Sequence, residues 1–408
     1  MNPSVSVGII LNVFACAIEA SFKIYWNVPS SMCSVRYGIN VTKTLINNDV
    51  LVNSEEEFLG EKLVIFYENK LGKYPYIDPK LGDVNGGLPQ LGNLEEHLQV
   101  AREDIRRTIT DPNFDGLGII DWEKWRPIWD FNWGKMRVYK KRTMELMKKR
   151  HPSWPWKLVD SASRNEWEET TKQWMLKTLE LTQEMRPKGK WCYYHLPDCY
   201  NYVGKDKPEQ FLCSSLVRRH NDRLIWLWNA TGSLCPSIYY DERQMKYNET
   251  QQIWFLHGRL SEVLRVSQPD TPIYPYINYR IHSSLAVVSK EHFWLMLAHL
   301  ASLGLDGAVI WGSSNYLKTE DECRSLQQYV DEVIAPASST ISSNANHCGE
   351  AVCNGNGICT WPRHPYSSWK YLVVPNSTAF EVTDITCRCQ AYRGRYCNVR
   401  DSNLTDVI

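Results

Sequence analysis

Asp121 and Glu123, separated only by Trp122, are the residues of this sequence best placed to do chemistry. They close an apolar run, Leu117 to Ile120, of the kind a buried strand shows. Side chains alternate along a strand, so Asp121 and Glu123 are expected to face one way and Trp122 the other. Two residues of rise separate their backbones by roughly 6.6 Å. Like charges that close resist joint ionisation, so one carboxyl keeps its proton to a higher pH. A proton-donating carboxylic acid beside a carboxylate is what cleavage of a glycosidic bond needs. The competing reading is a plain solvated strand end, and the rest of the chain must decide between them.

The elements around this pair repeat one pattern. Short apolar or aromatic runs lie at Phe22–Trp26, Leu63–Tyr67, Leu117–Asp121, Lys190–Tyr194, Cys235–Tyr239, Ile273–Ile277 and Gly307–Trp311. Between most of them lie helical patterns: Leu94–Thr108, Met136–Arg150, Trp156–Arg186, Leu216–Trp228, Glu249–Val266, Lys290–Leu303 and Glu320–Ile334. In the longest, Trp167, Thr171, Trp174, Thr178 and Leu181 recur at helical spacing, and Pro187 and Gly189 stop it. Strand alternating with helix predicts a parallel α/β sheet. About seven such units favour a closed barrel, in which functional groups gather at the C-terminal ends of the strands. Asp121, Glu123, Tyr67, Tyr194, Tyr239 and Trp311 all fall at those ends. Aromatic plugging of the barrel mouth would produce the same pattern.

The chain has 408 residues with 46 basic and 46 acidic side chains, a balance that argues against nucleic acid or a membrane surface as partner. The 17 Trp and 22 Tyr could pack a core or stack on sugar rings. Residues 1–20 read as a signal peptide: Val7–Ile18 is apolar but too short to span a bilayer, and Ala15-Cys16-Ala17 fits a cleavage site. No later apolar run reaches membrane-spanning length. Losing Cys16 from 13 cysteines leaves an even number, as a secreted, disulfide-bonded chain requires. Glycosylation sequons lie at Asn40, Asn229, Asn248, Asn376 and Asn403. The barrel is expected over residues 21–335. Residues 336–347, rich in Ala and Ser, read as a linker, and a cysteine-dense module with its tail fills 348–408. Zinc ligation there is disfavoured because no paired C-x-x-C occurs. Nothing else in the sequence asks for a metal or a cofactor.

Several long motifs occur in one order: FYENKLGKYPY, NGGLPQ, GIIDWEKWRP, PDCYNY, WLWNATGSLCPSIY and GAVIWGSS. With them the chain resembles the animal hyaluronidases, glycoside hydrolase family 56, of both mammalian and venom type, over about residues 22–400. The final CRCQAYRGRYC is similar to the end of an epidermal-growth-factor-like module. The resemblance implies a distorted (β/α) TIM-like barrel of about seven strands plus that small module. It implies endo-hydrolysis of hyaluronan at the β-1,4 link after N-acetylglucosamine, with retention, by a monomer. It also implies substrate-assisted chemistry, in which the acetamido oxygen of the substrate attacks the anomeric carbon. Glu123 would then donate the proton and afterwards act as base, while Asp121 orients the acetamido group and steadies its positive charge. Tyr194, Ser237, Tyr239 and Trp311 match residues around the acetamido pocket, and Tyr67 and Asp198 match further cleft residues. Arg126 matches part of the family motif. It either holds the acid's geometry, meets a substrate carboxylate, or makes an ordinary salt bridge.

The resemblance further implies disulfides Cys33–Cys323, Cys199–Cys213, Cys348–Cys359, Cys353–Cys387 and Cys389–Cys397. Cys192 and Cys235 then remain. Cys192 shares the parity of Tyr194, and Cys235 that of Ser237 and Tyr239, so both are expected inside the barrel and close together, bridged or as two buried thiols. Hyaluronan is a polyanion, so positive charge must be concentrated locally. Lys124, Arg126, Arg243 and Arg280 are candidates near strand ends. The runs Lys140-Lys141-Arg142 and Lys148-Lys149-Arg150 read as a solvated helix face. Three other readings stay open. One is a chondroitin-preferring enzyme, a choice residues such as Asn278 and His195 could shift. Another is a barrel that binds glycan without cutting it. The last makes the cysteine module a protein-binding domain. An extracellular location is expected, with the lysosome as the alternative.

Overall fold

The structure is a computed structural model that describes residues 21–202, 206–282, 284, 286–360, 385–389 and 392–400. The expected signal peptide, Cys16, Asn376 and Asn403 lie outside the described residues.

In chain order the first half runs β1 (Lys23–Asn27), α1 (Ser31–Tyr37), α2 (Lys43–Ile46), β2 (Leu51–Val52), β3 (Leu63–Tyr67), the hairpin β4 (Tyr76–Asp78) and β5 (Gly82–Val84), α3 (Leu94–Thr108), β6 (Leu117–Asp121), α4 (Arg137–Arg150) and α5 (Trp156–Met185). It continues with β7 (Lys190–His195), α6 (Ser215–Asp222), α7 (Ile225–Ala230), β8 (Cys235–Pro236), α8 (Glu249–Val266), β9 (Tyr276–Asn278), α9 (Lys290–Ser302), β10 (Gly307–Trp311), α10 (Glu320–Tyr329) and α11 (Ala335–Cys353). Short strands β11 (Gly357–Thr360), β12 (Thr386–Cys389), β13 (Tyr392–Arg393) and β14 (Val399–Arg400) end it.

Two parallel sheets, β2-β1-β10-β9 and β3-β6-β7-β8, curl into one barrel. Single bridges, Leu234 to Ile273 and Ser237 to Tyr276, join them on one side. On the other side β2 and β3 share no ladder. There the buried Asn53 side chain donates to the Leu63 carbonyl at 2.9 Å and accepts from its N–H at 3.0 Å. A side-chain amide thus stands where a neighbouring strand's peptide group would be. All the expected strand runs contribute to this barrel, which is the expected fold. Inside it lie Tyr25, Leu63, Ile65, Leu117, Ile119, Cys192, Cys235, Tyr274, Tyr276 and Val309, a small core separate from the larger one between strands and helices. The alternating parity of the strands produces that division.

Helices α3, α8 and α9 lie where periodicity places them. In α5, Trp167, Thr171, Trp174, Thr178 and Leu181 are all buried, as their spacing requires. The pattern at Leu216–Trp228 splits into α6 and α7.

Residues 336–347 correct the expectation of a linker: they continue α11 without interruption, joined to α10 by a π turn at Val330–Ile334. Ala is the strongest helix former, and Pro336 occupies the first turn, where a missing N–H costs nothing. One face of the helix buries Ala337, Ser338, Ile341, Ala345 and Cys348, and it packs on α9. The helix carries Cys348 and Cys353 directly into the cysteine module.

The pairs Cys33–Cys323, Cys199–Cys213, Cys348–Cys359, Cys353–Cys387 and Cys389–Cys397 are all bonded. Cys192 and Cys235 are bonded as well. The module is clamped to the N-terminal end of the barrel by Arg388, which donates to Gly304 O at 2.9 Å and Asp306 Oδ2 at 2.7 Å.

Candidate active site

The inward parity that fills the barrel continues past its last apolar layer into polar groups. On β3 and β6, Tyr67 and Asp121 are directly paired. Tyr194 follows Cys192 on β7, and Ser237 and Tyr239 follow Cys235 beyond β8. Asn278 and Trp311 pair at the ends of β9 and β10, and Asn27 pairs with Trp311 from β1. These side chains ring one mouth of the barrel.

Aromatic contacts lock the ring. Trp311 Nε1 donates to the Tyr67 hydroxyl at 3.2 Å, and its ring stacks on Tyr239 at 6.0 Å with 25° between planes. Tyr194 meets Tyr276 edge-on at 4.9 Å, and its ring centroid lies 6.4 Å from that of Tyr239. Tyr276 accepts from Asn27 Nδ2 at 3.2 Å. Burial, reinforced by the charges of the two acids, holds the Tyr67 and Tyr194 hydroxyls well above the ordinary phenol range. They therefore stay protonated and able to donate.

Asp121 is 6% exposed. Its Oδ1 is buried and has no hydrogen-bond partner among the described residues. Burial first, then the charges of Glu123 and Glu68, push its carboxyl well above the usual range; Arg126 and Lys124 oppose the shift without reversing it. Glu123 stands just beyond the strand, with its side chain 48% exposed. Trp122 turns the other way, as alternation requires, and stacks on Tyr74 at 4.4 Å. Behind it, His97 accepts from Lys73 N at 2.8 Å, and burial lowers its pKa to about 4, so the imidazole is neutral.

The loop carrying the acid is held from its backbone. Asn132 accepts from Arg126 N at 2.9 Å and donates to Arg126 O at 2.8 Å, and Trp167 Nε1 donates to the same carbonyl at 3.1 Å. Arg126 Nη1 donates to Glu123 O at 3.0 Å, and Nη2 lies 3.7 Å from Glu123 Oε1. The Arg126 guanidinium thus lies against the acid, and its side chain is only 11% exposed. Lys124 pairs with Glu68 at 2.6 Å. Arg243 is paired with Asp241, and Arg280 lies over the Tyr316 ring at 4.9 Å.

Asp198 differs from its expected place as a cleft residue that meets substrate. It is 1% exposed. Oδ1 accepts from Cys199 N at 2.6 Å, Tyr200 N at 3.1 Å and Arg259 Nη2 at 3.2 Å, and Oδ2 bonds His195 Nε2. Burial alone would raise its pKa, but His195, Arg259 and the backbone donors outweigh it and hold the carboxyl far below the usual range. His195 sits at φ +76° and Tyr200 at φ +53°, conformations uncommon for residues with a Cβ. Asp198 ties both down, so it supports the wall that carries Tyr194.

Asn27, Tyr276 and Glu68 were not foreseen as part of the site. Counting parity one residue past the run Phe22–Trp26, and within Ile273–Ile277, finds the first two. Glu68 follows Tyr67 directly, and only the fold reveals its pairing with Lys124.

The hyaluronidase family model matches residues 14–397 of the chain. A hyaluronidase of Loxosceles intermedia is 44% identical over 394 residues, covering 95% of this chain and 98% of that one. Hyaluronidase-1 of Mus musculus is 35% identical, covering 92% of this chain and 86% of its own. The crystal structure of bee venom hyaluronidase in complex with a hyaluronic acid tetramer superposes with a TM-score of 0.72 at 32% identity, over 78% of this chain and 99% of that one. On the family match, these identities and this shared barrel, the chain belongs to the hyaluronidase family, glycoside hydrolase family 56.

Proposed function

We propose that this chain cleaves hyaluronan internally at the β-1,4 link from N-acetylglucosamine to glucuronate, with retention of configuration and the substrate's own acetamido group as nucleophile. The observation that carries this reading is Asp121: a buried carboxyl with an unpartnered oxygen, beside an exposed Glu123. A carboxylate acting as nucleophile must reach the anomeric carbon. One sunk among tyrosines is better placed to accept the N–H of a small amide. Protonated hydroxyls of Tyr194 and Tyr239 line the same hollow, and Trp311 walls it.

In the first step Glu123 gives its proton to the glycosidic oxygen. The C1–O bond breaks as the acetamido oxygen bonds C1, and Asp121 steadies the positive charge spreading onto the amide. In the second step Glu123 takes a proton from water, whose oxygen attacks C1 from the face the leaving sugar vacated and displaces the acetamido oxygen, giving retention. The proton taken up restores the acid. Arg126 acts by positioning Glu123, and Asp198 by positioning the loop that carries His195.

Chondroitin carries the same acetamido group and is the second substrate to test. Secretion is supported by the disulfides and by sequons Asn40, Asn229 and Asn248, all exposed. No helix among the described residues is long and apolar enough to cross a membrane. The test is digestion of hyaluronan, chondroitin and a de-N-acetylated hyaluronan by the wild type and Glu123→Gln. Cleavage of the first, loss in the variant and resistance of the third are expected. Inactivity on both natural polymers overturns the enzymatic reading, and comparable cleavage of the de-N-acetylated chain returns Asp121 to the nucleophile's part.

A further inference from the structure

The ladder between β7 and β8 is one of the shortest in the barrel. Neighbouring pairs run over five positions for β3 with β6 and four for β6 with β7, but only Tyr194 with Cys235 and His195 with Pro236 for β7 with β8. One of those is proline, which has no N–H to give a ladder. Beyond Pro236 the chain turns to the other neighbour: Ser237 bridges Tyr276, and Ile238 N donates to Tyr276 O at 3.0 Å. The backbones carrying Tyr194 and Tyr239 are therefore not hydrogen-bonded to each other at the level of the site. Their rings face each other across this gap, with centroids 6.4 Å apart.

Directly beneath lies the Cys192–Cys235 disulfide. Both residues are fully buried within the barrel's inner core, with their Cα atoms 6.0 Å apart. By parity Cys192 is the inward neighbour of Tyr194 on one wall, and Cys235 that of Ser237 on the other. Each sulfur sits one layer below a wall of the proposed acetamido pocket.

We propose that this disulfide is a positioning brace, reinforcing the short β7–β8 ladder and setting the spacing between Tyr194 on one wall and Ser237 with Tyr239 on the other. This rests on the reading of those residues as the acetamido pocket. The brace touches no substrate and takes no part in bond changes. It keeps two donors at the separation the attacking amide needs, and small misplacement of such groups costs rate steeply.

The test compares Cys192→Ala/Cys235→Ala and the fuller Cys192→Val/Cys235→Ala with Cys33→Ala/Cys323→Ala, which removes a disulfide outside the barrel's inner core. Each is assayed on hyaluronan well below its own melting temperature, with and without Tyr194→Phe. The unbraced variants are expected to lose about ten- to a hundredfold in kcat with KM changed less than about threefold. Tyr194→Phe should cost much less in them than in the braced enzyme, a coupling that mere loss of stability does not create. The Cys33/Cys323 variant should melt lower yet keep its kcat. Retained kcat in folded unbraced variants, or additive losses, overturns the proposal. So does failure of both to fold, which makes the bridge a folding requirement. If Tyr194→Phe leaves the braced enzyme's kcat unchanged, it is the pocket reading that fails first.

Discussion

Asp121 closes strand β6 and Glu123 stands two residues on, just beyond it, yet the first is 6% exposed while the side chain of the second is 48% exposed. The inward turn of the strand sets Asp121 among aromatic rings, and the strand ends before Glu123. Desolvation then pushes the Asp121 carboxyl up, with the neighbouring charges of Glu123 and Glu68 adding to it.

Glu123→Gln keeps the shape and removes the proton. Its kcat on hyaluronan should fall about 10²–10⁴-fold. KM and melting temperature should stay near wild type, because the side chain is half in water. Wild-type kcat in the variant would remove Glu123 from the acid role.

Asp121→Asn should lose activity and gain stability. The carboxyl's folded pKa lies above its unfolded value of about 3.9. The folded state therefore holds a proton that the unfolded state releases, and wild-type stability drains away as pH rises through that window. Thermal melts from pH 3 upward should show the variant level with wild type at the acid end and above it near neutrality. A lower melting temperature at pH 7 contradicts this.

Asp198→Asn should behave oppositely. Here the folded pKa lies below the unfolded one, so the carboxylate's stabilisation is present above about pH 4 and fades as pH falls. Removing it leaves Arg259 buried without its counter-charge, a loss of about 3–5 kcal/mol near neutrality. Urea unfolding at pH 7 and at pH 3 compares the full stabilisation with one that has begun to fade; an equal loss at both would contradict the sign.

Trp311→Phe keeps the stack on Tyr239 and deletes the donor to Tyr67. One neutral hydrogen bond is worth about 1 kcal/mol, so kcat/KM should fall about fivefold. Trp311→Ala removes the wall itself and should cost about a hundredfold. Equal losses in the two variants would show that the hydrogen bond, and not the wall, matters.

Much of this site was legible because strands alternate. Tyr67, Asp121, Tyr194, Tyr239 and Trp311 follow from parity at strand ends, and the same parity brought Cys192 and Cys235 together. The misses have other causes. Asp198 looked like a cleft acid, and its burial depends on Arg259, 61 residues away on α8. Asn27 lay one residue past an apolar run and carries no apolar signal. Residues 336–347 looked like a linker because Ala and Ser serve helices and loops alike, and the face they bury appears only once α9 is beside it.

The continuity of α11 has a consequence for dissecting the molecule. A truncation placed by composition, just after residue 335, would fall inside a helix and tear Ala337, Ile341 and Ala345 from α9. The apolar face of α9 would be bared, and Asp306 would lose its Arg388 counter-ion. The barrel and its cysteine-rich end are therefore joined by one continuous helix, and a protein tethered behind that end would ride on a mount with no swivel at α11.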